Sequence, residues 1–228
     1  AMPAPAPEQL LEPGEPFATS NATPGDAIDG LLAGHHLRVT ALPDGQLAVA
    51  APPPPVVFPG SFNPLHGGHV SLARVVEDMT QLPLAYEISV TNVDKPPLAA
   101  QVVRDRAAQF AWTAAAELTR APTFLEKSRL FPGTTFVIGA DTAERLVAPR
   151  YYGHDEGRMH DALETMGRAG NSFLVAVRVG QDARLRTLRD VAVPGRYADL
   201  FREIPESRFR SDLSSTAIRA QAAGQETG

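Results

Sequence analysis

Two histidines three residues apart, His66 and His69, sit in the stretch Phe58-Pro59-Gly60-Ser61-Phe62-Asn63-Pro64-Leu65-His66-Gly67-Gly68-His69. An i, i+3 spacing puts both imidazoles on one face of a first helical turn. Unsatisfied backbone N–H groups and the helix dipole at such a turn attract anions. Either ring can donate a hydrogen bond to a phosphate oxygen. Gly60 permits a tight turn and close approach of a ligand to the backbone. Gly67 and Gly68 do the same where the helix begins. The histidines have two other readings, a polar loop with unrelated rings and half of a metal site. A metal site would need further His, Cys or carboxylate ligands nearby. Phosphate binding is therefore favoured, and no metal-ligating residue is expected.

A second candidate lies far along the chain, in Ser214-Ser215-Thr216-Ala217-Ile218-Arg219. Hydroxyls of Ser215 and Thr216 at a helix start can meet phosphate oxygens, and Arg219 one turn on adds a bidentate donor. Alone, the segment reads as a serine cap with a solvent-facing arginine. Paired with the histidine turn, it reads as a second grip on one polyanion. Lys95 follows a strand pattern and precedes Pro96 and Pro97, which stiffen its loop. A cation fixed there can meet a substrate phosphate; the competing reading is a solvated surface lysine. Asn92 and Asp94 are weaker candidates. Trp112 is the single tryptophan, and its place in a helical pattern favours packing over stacking on a ligand. His154, His160, Arg150 and Arg158 fall in a polar stretch and receive no role. His35 and His36 are expected to be solvated.

The elements that must hold these groups alternate between strand and helix. Apolar runs at 56–58, 86–90, 135–138, 172–177 and 200–204 read as strands. Helices are expected at 68–79, 99–118, 141–146, 159–168 and 214–222. In the longest, Val103, Ala107, Phe110, Ala114 and Leu118 repeat at steps of three or four. Such alternation implies crossover units and a mainly parallel sheet covered on both faces. Ligands of such sheets sit beyond the carboxyl ends of the strands, where the candidate residues fall. Residues 1 to about 29 are rich in Pro and Ala and read as loosely draped. A small hairpin is expected around Pro43-Asp44-Gly45. The prolines at 52–55 suggest a boundary between a 1–53 extension and a 54–228 domain.

Composition narrows the classes. The 228 residues carry a net charge of −5, with no basic block, so bulk nucleic-acid binding is not expected. There is no cysteine, which excludes disulfides, thiolate zinc sites and a cysteine nucleophile. No apolar run reaches the length of a membrane span. No secretory signal is expected at the N-terminus, and a cytoplasmic location is the expectation.

The turn at Gly60-Ser61-Phe62-Asn63-Pro64-Leu65-His66-Gly67-Gly68-His69 resembles the G-x-F-x-P-x-H-x-G-H signature of the nucleotidylyltransferase superfamily. Ser214 to Arg219 resembles its second signature, I-S-S-T-x-x-R, with Leu213 in place of the isoleucine. Phe136-Val137-Ile138-Gly139-Ala140-Asp141 resembles the F-x-x-G-A-D segment of nicotinamide or nicotinate mononucleotide adenylyltransferases. The broader match is closest to cytidylyltransferase-like proteins in which segments similar to Asn92-Val93-Asp94-Lys95-Pro96-Pro97-Leu98 recur. The resemblance spans about residues 55–222.

It implies a Rossmann-like α/β fold of nucleotidylyltransferase type. It also implies transfer of a nucleoside monophosphate from a triphosphate to a phosphorylated acceptor, with release of pyrophosphate. ATP and a pyridine mononucleotide are the favoured pair. The alternatives are CTP-dependent transfer to a phosphorylated alcohol or phosphonate, and a non-catalytic nucleotide sensor. In the implied site His66, His69, Lys95 and Arg219 are catalytic. Gly60, Ser61, Phe62, Gly68, Gly139, Asp141, Ser215 and Thr216 bind nucleotide. Asp141 has a second reading as a helix cap completed by Glu144. Mg²⁺ is expected to bridge triphosphate oxygens through substrate and water. The expected partners are the two small substrates, with no nucleic acid and no membrane. A homo-oligomer is left open.

Overall fold

The computed structural model describes residues 24–93, 96–179 and 185–209. In chain order the elements are α1 (Pro24–Ala33), β1 (Arg38–Ala41), β2 (Leu47–Ala48), β3 (Val56–Pro59), α2 (Gly67–Thr80), β4 (Leu84–Ser89), α3 (Ala100–Ala108), β5 (Ala116–Thr119), α4 (Phe124–Leu130), β6 (Thr135–Gly139), α5 (Ala140–Val147), α6 (Glu156–Arg168), β7 (Ser172–Ala176), β8 (Arg178–Val179), β9 (Leu185–Arg186) and β10 (Phe201–Ile204). Eight strands form one sheet in the order β10-β7-β6-β3-β4-β5-β1-β2. The six from β10 to β5 run parallel; β1 lies antiparallel to β5, and β2 antiparallel to β1.

Alternation along each strand divides the apolar side chains between two cores. Val56, Phe58, Val137 and Leu174 enter one core, with Leu31, Val76 and Val103 of α1, α2 and α3. Val57, Phe136, Ile138, Phe173 and Val175 enter the other, with Leu146 of α5 and Leu163 of α6. Helices therefore cover both faces, as the alternating pattern implies. The chain crosses from one face to the other between β3 and β6, and this reversal of strand order opens a crevice at their carboxyl ends.

The expected helix over 99–118 is not one element. α3 stops at Ala108, a turn follows, and Ala116–Thr119 is a strand with all four residues buried. Val103, Phe110 and Leu118 nevertheless share one core. A helix, a turn and a strand facing a common core reproduce a helical spacing by coincidence. Trp112 falls in that turn with φ 63° and is 81% exposed, so it does not pack as expected. Its backbone N–H donates to the Pro43 carbonyl at 2.6 Å.

The N-terminal side also departs from its reading. Residues from Pro24 form α1, which buries Ala27, Ile28 and Leu31, rather than draping loosely. The hairpin expected around Pro43-Asp44-Gly45 forms as β1 and β2, and β1 pairs along β5. Pro52–Pro55 thus connects two strands of one sheet. The helix expected over 214–222 lies outside the described residues.

Candidate active site

The turn after β3 is held from three sides. The Gly60 N–H donates to the Glu87 carbonyl of β4 at 2.9 Å. From α3, Arg106 Nη1 donates to the Ser61 carbonyl at 3.1 Å. Gln109, just past α3, donates through Nε2 to the Phe62 carbonyl at 3.0 Å and accepts the Leu65 N–H on Oε1 at 2.7 Å. The loop therefore reaches α2 in a set conformation.

Phe62 adopts φ 41°, a left-handed backbone that a bulky residue rarely tolerates. Its ring is 1% exposed and makes edge contacts with Phe58, Tyr86, Phe110 and the His69 ring, at centroid separations from 5.0 to 5.5 Å. Burial of the ring among these partners offsets the backbone strain. A Cβ at Gly60 would stand 2.6 Å from the Phe62 ring. Gly60 is thus required by the packing of its own loop. What Phe62 contributes to the site is a wall behind His69.

His66 caps α2, and His69 is the third residue of the helix. The two rings stack with centroids 3.6 Å apart. His69 Nδ1 accepts the His66 backbone N–H at 3.3 Å. A neutral imidazole that accepts on Nδ1 carries its proton on Nε2. The His69 ring therefore carries its N–H on Nε2. The sequence pattern predicts both rings on one face of the first turn, and the geometry agrees.

Next to this turn is a cavity of about 250 Å³ at the crossing between β3 and β6. Gly60 and Ser61 line one side, and Gly139 and Thr142 another. Phe58 also lines it and stands 5.9 Å from the His69 ring. A Cβ at Gly139 would meet nothing within 4 Å, so the glycine leaves the wall open there. Asp141 is in the first turn of α5 but does not cap it; Gly139 holds the cap position and no side chain bonds the cap. The capping-box reading of Asp141 with Glu144 is thereby removed. Glu144 instead pairs with Arg150 at 2.7 Å.

Two residues on the cavity wall had no place in the sequence reading. Glu87 of β4 and Lys127 of α4 form an ion pair at 2.6 Å, with side chains 1% and 5% exposed. Lys127 Nζ also donates to the Ala121 carbonyl at 2.7 Å, and Thr119 Oγ1 donates to Glu87 Oε1 at 2.5 Å. Thr123 and Glu126 make a reciprocal capping box that starts α4 and aims Lys127 at the sheet. Two signals were present: the T-x-x-E pattern at Thr123, and a charged residue inside the apolar run Leu84-Ala85-Tyr86-Glu87-Ile88. One strand further out, Glu117 is buried beside Arg38 at 3.7 Å and accepts from Thr40 at 2.9 Å. Burial holds its carboxyl above the ordinary range, against the opposing effect of Arg38. Burial also pushes the Tyr86 hydroxyl up to about 12.

The remaining candidates divide simply. Asn92 lines the cavity. Asp94, Lys95, Ser215, Thr216 and Arg219 lie outside the described residues. His35 is exposed and His36 half-buried. Arg158 pairs with Asp155, and His160 packs against Tyr197. Among the described residues no group of three or more His, Cys, Asp or Glu is placed to hold a metal ion. Among the same residues no helix is long and apolar enough to cross a membrane.

A phosphate-type turn at a switch point is shared by many α/β proteins, so comparison with known chains is informative. The family described as cytidylyltransferase-like matches residues 57–221, a span that takes in the histidine turn, the Gly139 segment and Arg219. The chain is also 28% identical over 187 residues to a probable nicotinate-nucleotide adenylyltransferase of Gloeobacter violaceus, covering 75% of this chain and 85% of that protein. With most of its length matched, the chain belongs to the cytidylyltransferase-like family of nucleotidyltransferases.

Proposed function

We propose that this enzyme transfers AMP from ATP to nicotinate or nicotinamide mononucleotide and releases pyrophosphate. The observation that carries the reading is the stacked His66–His69 pair on the first turn of α2, beside a cavity that runs to Gly139. The similarity to the probable nicotinate-nucleotide adenylyltransferase of Gloeobacter supports the choice of acceptor.

In this reading a phosphate oxygen of the acceptor attacks the α-phosphorus. The bond from that phosphorus to the bridging oxygen breaks, and pyrophosphate leaves. No protein nucleophile takes part. Alignment and charge stabilisation supply the rate. His69 Nε2–H donates to an α-phosphate oxygen, and His66 and the open N–H groups of α2 meet its neighbours. Gly60, Ser61 and Gly68 bring backbone close to the phosphates. Gly139 and Asp141 face the nucleotide ribose. Ser215, Thr216 and Arg219 grip the outer phosphates, and Lys95 neutralises the acceptor phosphate. The donors around the turn are imidazoles, hydroxyls and backbone N–H groups, which suit phosphate oxygens and not a metal cage. The carboxylate on the cavity wall is engaged by Lys127. Mg²⁺ fits as an ion carried on the triphosphate and bound through water, where it supplies charge neutralisation.

The test is pyrophosphate release with ATP and CTP against a panel of phosphorylated acceptors. Dinucleotide formation from ATP and a pyridine mononucleotide is the expected result. Turnover with CTP and a phosphorylated alcohol alone would replace these substrates. Nucleotide binding without turnover on any pair would make the chain a sensor.

A further inference from the structure

The Glu87–Lys127 pair is costly to bury, and a purely apolar contact would hold α4 to the sheet as well. Replacing a buried ion pair by apolar residues is often neutral or stabilising. The pair lies on the wall of the cavity beside the phosphate turn, between that turn and the β5 side of the sheet. Its hydrogen bonding is lopsided. Glu87 Oε1 accepts from both Lys127 Nζ and Thr119 Oγ1. Among the described residues nothing donates to Oε2. Lys127 Nζ spends two of its three N–H groups on Glu87 and the Ala121 carbonyl. Glu87 lines the cavity, its side chain is 1% exposed, and both donors given by the described residues fall on Oε1, which leaves Oε2 as the oxygen able to accept from a ligand.

We infer that Glu87 is a specificity-determining residue of the acceptor subsite, where Oε2 accepts a hydrogen bond from a hydroxyl or amide N–H of the phosphorylated acceptor. Lys127 and Thr119 are positioning residues that fix the carboxylate through its other oxygen. This rests on the nucleotidyl-transfer reading above. The chemistry of the pocket follows from charge. A donor group meets Oε2 directly, whereas a carboxylate in the same place would face a second buried anion. The Glu87 backbone carbonyl also anchors Gly60 at 2.9 Å, so the residue couples the acceptor wall to the phosphate turn.

Single substitution strands one buried charge, so the test uses Glu87→Gln with Lys127→Met in one chain, which removes both charges together. Steady-state kinetics with nicotinamide and nicotinate mononucleotides, at saturating ATP, are compared with the native chain. The ATP KM and the melting temperature serve as internal controls. The expected result is a rise of about tenfold in acceptor KM, the loss of one hydrogen bond to a charged group, with ATP KM unchanged. If the amide is the donor, preference for the amide acceptor over the acid collapses. If a hydroxyl is the donor, both acceptor KM values rise together. Equal acceptor KM values in the native and double-variant chains overturn the inference, as does a rise of about tenfold in ATP KM together with a fall in melting temperature, which marks a structural role. If no triphosphate and acceptor turn over, the transfer reading has failed by itself. The acceptor-induced rise in melting temperature then decides: a rise seen only in the native chain supports the inference, and equal rises or none overturn it.

Discussion

The cavity is bordered by the polar layer beneath α4 and by Gly60 and Ser61 of the loop that leads into the histidine turn, and the two regions are assembled differently. At the turn, His66 and His69 are neighbours in sequence and half-exposed, and their spacing depends on one helical turn. Under α4, Glu87, Thr119 and Lys127 come from two strands and a helix and are almost wholly buried. The first region is polar where it is partly exposed, so its polarity costs little. The second is polar in spite of burial, so removal of either Glu87 or Lys127 leaves an uncompensated charge. On the proposed function, loss of a local group should cost rate alone, whereas loss of a distant one should cost stability as well.

That contrast is open to direct attack. The largest expected effect is on Lys127→Met alone, which leaves Glu87 buried without its cation. Urea denaturation should show a loss of about 3–5 kcal/mol, while the paired substitution with Glu87→Gln recovers most of it. Next, His69→Ala should lower kcat by about 10² with pyrophosphate release as the readout. Its urea midpoint should move little, because the ring is half-exposed; a large stability loss would erase the distinction between the regions. Gly60→Ala should cost about 1–3 kcal/mol, the usual range for overpacking, because the new methyl meets the Phe62 ring. Gly139→Ala should stay within about 0.5 kcal/mol of native stability and raise the ATP KM, because its methyl enters open cavity space. Equal stability losses in the two glycine variants would show that both walls are packed interior.

The smallest effect concerns pH. Burial holds the Glu117 carboxyl above its ordinary range. Between the ordinary and the raised value the folded chain binds more protons than the unfolded one. Stability therefore declines as pH rises through that window, and the cost is fully present above it. Glu117→Gln should flatten this part of the profile, as followed by thermal melting across the mildly acidic range.

The legible parts of this molecule are those whose reasons are local. The strand pattern around Val56, Val137 and Phe173 and the helices that follow β3 and β6 could be read from periodicity. The placement of both imidazoles together at the start of α2 could be read from the histidine spacing. Reading failed between residues 99 and 118, because Val103, Phe110 and Leu118 approach one core from three different elements. It failed for Trp112, whose surroundings are set by a turn and not by a helix face.

By itself the chain's order of residues determined the doubly covered parallel sheet, the histidine-bearing helix start and its family, since each depends on neighbours within a few positions. Tertiary structure alone decided that Gly60 must yield space to Phe62, that β1 and β2 extend the sheet, and that Lys127 meets Glu87 across 40 positions. A buried charge is tolerated only where the fold delivers its partner, and no local pattern records which distant residue that is.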